Sequence, residues 1–199
     1  MNSKMIPVAV INPDAPPESL EAKQPAIDNG AEIYGKDGYF SLDQMEREWE
    51  KVWTESWLIA GVSSDLQAVG DYCLFRVRSE SIIVTKTEEG VKAFYNVCPH
   101  RGARLLTEER GNKRVFVCPF HSWSFRNSGE LRTITDEETF QDSVICHRPG
   151  LTPVACDEHA GLIFISMADT PPALLEAIGL PAGYLENYQI DKMRVVRHV

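Results

Sequence analysis

Hydrophobic and polar positions follow two rhythms along this chain, and the change between them falls near residue 55. Before it, Met45, Trp49, Val52 and Trp53 recur at helical spacing while Glu46, Arg47, Glu50 and Lys51 fill the other face. Ser41 followed by Gln44 has the form of a capping box. The pattern predicts an amphipathic helix over 42–54, with Trp49 and Trp53 anchored in the core. Beyond it, apolar residues come in short runs: WLIAGV (57–62), YCLFRV (72–77), SIIVTK (81–86), VKAFYNV (91–97), RVFV (114–117), WSF (123–125) and GLIFISM (161–167). Turn-forming stretches, VGDY, EEG and RNSGE, separate several of them. Runs this short predict a mainly β fold, an antiparallel β-sandwich or small barrel.

The two ends differ from the middle. Pro7, Pro13, Pro16, Pro17 and Pro25 give residues 1–38 the character of an extended arm. After the β domain, 39–170, the tail 171–199 predicts short helices over 173–178 and 182–188 and then the start of a strand. With 199 residues the chain is long enough to bury a core without covalent staples.

A net charge of -9 argues against a nucleic-acid or anionic membrane surface, because a polyanion would be repelled. No run approaches the roughly 18 apolar residues of a membrane span. The apolar stretch 5–11 is interrupted by Pro7 and lacks a small-residue cleavage site, so it does not read as a signal peptide. A cytoplasmic location is expected, where thiols stay reduced. The five Cys are an odd number, which a disulfide framework cannot use completely.

Two stretches carry the chemistry. VCPHRGA places Cys98 and His100 directly after one β-like run, and VCPFHSW places Cys118 and His121 directly after another. A structural zinc site more often pairs like with like, and C-x-H is tight for two ligands of one tetrahedral ion. Mixed pairs on two neighbouring loops instead suit a two-metal cluster to which each loop gives one ligand per metal: Cys98 and Cys118 on one iron, His100 and His121 on the other. Cys73, Cys146 and Cys156 read as small buried apolar residues. His147, His159 and His198 show no pairing that suggests a metal.

These motifs and their flanks, FYNVCPHRGARLL and VFVCPFHSWSFRNSGEL, resemble the N-terminal Rieske 2Fe-2S domain of aromatic-ring-hydroxylating oxygenase alpha subunits. The resemblance runs from about Phe40 to GLIFISM. It implies a Rieske-type β fold with a cluster-binding subdomain, and the four residues above as ligands. Arg101, Gly102, Ser122 and Trp123 would then lie around the cluster, Gly102 permitting the loop turn and Trp123 packing over the loop. Where such motifs usually have Gly after the second His, this chain has Ser122. Respiratory Rieske proteins tie the loops with a disulfide and place a Ser near the cluster. Ala103, Phe120 and Trp123 stand at those positions here, which implies a potential in the lower part of the roughly -150 to +300 mV Rieske window.

Neutral imidazoles in place of thiolates favour adding an electron to their iron. The resemblance implies an electron relay from a ferredoxin or flavin reductase to a mononuclear Fe(II) in a second domain, within an oxygenase that assembles as a trimer. That domain's helical His and carboxylate signature is absent from these 199 residues. Two readings follow: the Rieske half of an oxygenase subunit, favoured by the arm, the helix and the tail, or a free Rieske ferredoxin. A zinc-stabilised interaction module is the third. Aromatic hydroxylation is the family default, with monooxygenation or demethylation as alternatives.

Overall fold

The computed structural model describes residues 35–141 and 150–193. The arm as far as residue 34, Cys146, His147 and the last residues, His198 among them, lie outside the described residues. The chain divides into two compact units, 1–41 and 42–199. Of the first, the described part is a one-turn helix, Asp37–Phe40.

The second unit is built on a seven-stranded antiparallel sheet in the order β1-β10-β9-β4-β3-β2-β5. Its strands are β1 (Trp57–Val62), β2 (Asp71–Val77), β3 (Glu80–Thr87), β4 (Gly90–Tyr95), β5 (Arg110–Asn112), β9 (Pro153–His159) and β10 (Leu162–Ser166). The hairpin β6 (Val115–Val117) and β7 (Ser124–Arg126) forms a small second sheet with β8 (Leu131–Thr133).

β3 shows why this sequence builds two cores. Its run Ser81 to Thr85 is buried at every position, which a strand permits only when both faces are covered. Ile82 and Val84 point into one cluster with Cys73, Ala93, Val154, Ile163 and Ile165, inside the curl of the large sheet. Ile83, one residue out of phase, points into the other with Tyr72, Phe94, Phe116, Trp123 and Phe125, between the two sheets. The second core carries Cys98 and Cys118 at its edge.

The helix forms as Leu42–Glu48 and ends in a π-turn, Trp49–Trp53, where the Thr54 hydroxyl donates to the carbonyls of Trp49 and Glu50 at 3.1 and 3.2 Å. Its expected role as a core element is not what the structure shows. The helix buries no residue, and Met45, Val52 and Trp53 stay 44%, 50% and 44% exposed. It is held instead at the turn between β2 and β3: Arg78 pairs with Glu46 through its two terminal guanidinium nitrogens and lies 5.3 Å from the Trp49 ring centre. Amphipathic spacing showed which face is apolar but not what that face meets.

The tail folds as Leu174–Ile178, ending on Gly179 in the left-handed region; the helix predicted over 182–188 is reduced to a single turn, Glu186–Tyr188, and another turn, Ile190–Lys192, follows it. His159 pairs with Glu186 at 3.5 Å. Gly161, at φ +83°, lets the backbone of Asp191 pass directly over the β9–β10 turn, where a Cβ would collide with the Asp191 nitrogen. Gly161→Ala is expected to lower stability by about 2 kcal/mol. Faster amide exchange at Lys192 and Met193, with β3 still protected, would localise that loss.

Candidate metal centre

The two motif loops share one backbone design. In the first, the Cys98 N–H donates to Ala103 O at 2.8 Å and the Gly102 N–H donates back to Cys98 O at 2.9 Å. In the second, the Cys118 N–H donates to Trp123 O at 2.8 Å and the Ser122 N–H donates to Cys118 O at 3.0 Å. Each loop is a six-residue reversal opened by its Cys, and the fourth residue after that Cys is left-handed in both: Gly102 at φ +73° and Ser122 at φ +56°. Within this common frame the His comes two residues after Cys98 but three after Cys118.

Ser122 therefore occupies a conformation that Gly adopts without steric cost. Its side chain is exposed, beside the two His rings. Ser122→Gly is expected to raise stability by about 0.5–1 kcal/mol, measured by chemical denaturation. A loss of stability would mean that the hydroxyl makes a contact worth more than the strain.

The side chains sort by type across the loops. The Cys98 and Cys118 thiols are buried within hydrogen-bonding reach of each other. Burial raises the Cys98 pKa, backbone N–H groups of His100 and Arg101 oppose that rise, and the Cys118 thiol adds to it. The His100 and His121 rings stand 4.7 Å apart at 60°. Both Nδ1 atoms are buried, and that of His121 has no hydrogen-bond partner among the described residues. Two buried thiols and two neighbouring imidazoles are the residue types that a Rieske 2Fe-2S cluster uses. Among the described residues no three His, Cys, Asp or Glu side chains surround one ion position.

Aromatic rings frame the site. Trp123, 1% exposed, stacks on His100 at 4.5 Å and 4°, and Phe140 meets Trp123 edge-on at 6.1 Å. Phe120, 60% exposed, lies over His121 at 3.8 Å. The His edges open into a surface hollow of about 240 Å³ lined by Ser122, Thr135, Asp136 and Thr139. Arg101 and Gly102 are exposed on the first loop.

Reading the sequence alone misses Asn96, two residues before Cys98. It is 3% exposed and fully used: its amide donates to Leu106 O (2.7 Å) and Ser81 Oγ (3.1 Å), and its oxygen accepts from the N–H groups of Leu105 and Leu106 (3.1 and 2.9 Å). It ties both ends of the first loop to β3. A lone Asn where a strand meets a Cys motif is the only sequence signal for it.

Cys73 and Cys156 pack in the core inside the curled sheet, and burial pushes both thiols up, Cys156 to about 12. Among the described residues no helix is long and apolar enough to cross a membrane.

Known proteins agree with this picture. Residues 56–148 match the family model described as Rieske [2Fe-2S] domain. The glycine betaine monooxygenase oxygenase subunit of Chromohalobacter salexigens is 31% identical over 92% of this chain, and the large oxygenase component of the naphthalene 1,2-dioxygenase system of Pseudomonas putida is 32% identical over 71%. The alignments cover 40% and 32% of those two proteins. The crystal structure of a quaternary ammonium Rieske monooxygenase in its apo form superposes with a TM-score of 0.70 at 30% identity, over 78% of this chain and 44% of that one. The paired loops that carry Cys98, His100, Cys118 and His121, on a fold shared with these proteins, thus belong to a Rieske [2Fe-2S] domain, and the relatives of the chain are oxygenase subunits.

Proposed function

We propose that Cys98 and Cys118 bind one iron of the cluster and His100 and His121 the other, and that the chain relays single electrons within a Rieske oxygenase. The observation that carries this is the sorting of side chains: two loops of mixed sequence bring thiol to thiol and imidazole to imidazole. When bound, the cluster supplies a site that gains and loses one electron at a time. The chain's own residues prepare for it. Backbone N–H groups of His100 and Arg101 point at the Cys98 sulfur and offset its negative charge. The apolar walls from Leu105, Phe116 and Phe125 keep water from the thiolate side. The imidazole side faces the surface hollow, where a redox partner can approach within a short distance of the His rings.

The electron donor is a ferredoxin or flavin reductase, and the acceptor is a mononuclear iron in the catalytic domain of an oxygenase that assembles as a trimer. Oxygen-dependent oxidation of substrate takes place there. For the substrate we favour a quaternary ammonium compound over an aromatic ring, because the relative aligned over 92% of this chain and the solved structure aligned over 78% are named for such substrates. Ring dihydroxylation, as in the naphthalene relative, is the second reading. Oxidation of glycine betaine but not naphthalene by the whole subunit with a reductase would decide for the first.

Titration of the purified chain with a chemical reductant under anaerobic conditions tests the relay. A coloured protein that takes up one electron per chain and returns it is the expected result. A colourless, redox-silent protein containing zinc would contradict it. The intact mass of the natural protein then decides between a subunit that also carries the oxygen-activating iron and a free carrier.

A further inference from the structure

The two cluster loops have no covalent tie through their motif cysteines, which are both free thiols. What joins them on the imidazole side is a ring stack. Trp123 belongs to the second loop, where its carbonyl accepts from the Cys118 N–H, yet its indole lies flat on His100 of the first loop, 4.5 Å away and within 4° of parallel. Phe140 closes the outer edge of the indole at 79°. His121 has a different neighbour, the exposed and tilted ring of Phe120.

We propose that Trp123, backed by Phe140, is a positioning residue that fixes the ring plane of His100 and locks the two loops in register, resting on the ligand assignment above. Three points support it. A buried indole with 1% exposure has little room to turn, so it transmits its orientation to whatever lies flat against it. The stack crosses from one loop to the other, so sliding of either loop must separate the rings. The orientation of a ligand imidazole sets its overlap with the metal, and the groups that hold it are part of the site. The two histidines are then unequal: His100 has a rigid backing and His121 a solvent-facing one.

The test compares the cluster-loaded chain with Trp123→Phe, Trp123→Leu and Phe140→Leu, using nitrogen hyperfine spectra of the reduced cluster with cluster content and denaturation midpoint measured in parallel. Trp123→Leu is expected to shift and broaden the coupling from one histidine and leave the other sharp. Trp123→Phe, which keeps a ring to stack, should restore the wild-type coupling. A purely structural role would lower stability and cluster content in Trp123→Leu without moving either coupling, and that result would overturn the proposal. Should Trp123→Leu fail to fold, Phe140→Leu decides: a smaller shift of the same coupling supports the stack, and unchanged couplings overturn it. Absence of two histidine couplings from the unmodified protein would overturn the ligand assignment itself and the stack with it, an outcome distinct from unchanged couplings in the variants.

Discussion

Cys118→Ser lowers the cluster content of the purified chain by at least about tenfold while leaving its far-UV circular dichroism unchanged. The size follows from chemistry: losing even a group outside the ligand set typically costs about 10–100-fold in metal affinity, and a lost thiolate removes both a bond and a charge. The fold survives because the loop closes through backbone groups, Cys118 N–H to Trp123 O and Ser122 N–H to Cys118 O, which the substitution leaves intact. His121→Cys separates the two sides of the site. It offers a thiolate where an imidazole stood, so some cluster is retained, its potential falls by on the order of 100 mV or more, and its EPR signal changes. An unchanged spectrum in His121→Cys would remove His121 from the ligand set.

Asn96→Leu is expected to lower the stability of the folded chain by roughly 3–5 kcal/mol. The volume is nearly kept, so the loss comes from polar groups stranded in the core. Leu105 N–H, Leu106 N–H, Leu106 C=O and the Ser81 hydroxyl all lose their partner. Buried and unpaired, each costs about 1–3 kcal/mol, less where water can enter. Cluster content should fall further than stability alone explains, because Asn96 fastens residues 97–106 at both ends. A denaturation free energy within about 1 kcal/mol of wild type would show that the four hydrogen bonds are not all formed in solution.

Much of the fold was legible where apolar runs are continuous. β3 and β10 announce themselves because both of their faces or most of their length are buried. β5, β8 and β9 were not legible. β5 is three exposed residues, Arg110, Gly111 and Asn112, whose glycine is there because the Tyr72 ring lies against it. β9 opens on Pro153 and carries Asp157 and Glu158 outward, so its pairing with β10 and β4 decides its form more than its composition does. The helix was legible, but the destination of Trp49 depended on Arg78, some 30 positions away, as a partner.

Cys98, His100, Cys118 and His121 were legible as a group of candidates, and the geometry that brings thiol to thiol and imidazole to imidazole was less so. Cys and His announce metal chemistry by type. The left-handed fourth residue of each loop shows in sequence only as Gly102, since Ser122 disguises the same turn. Asn96 and Phe140 could not be found by motif, because each acts through contacts far along the chain or across a loop. The paired Cys and His thus turn out to repeat a backbone design as well as a residue pair, with the one-residue offset of the His as the difference between the copies.

The central claim, that one iron is held by the two thiolates and the other by His100 and His121, is tested most directly by nitrogen hyperfine spectroscopy of the one-electron-reduced chain labelled with ¹⁵N-histidine. The account predicts two histidine couplings, with one lost in His100→Cys and the other in His121→Cys. Couplings that survive both substitutions, or a reduced cluster with no histidine nitrogen at all, would contradict it.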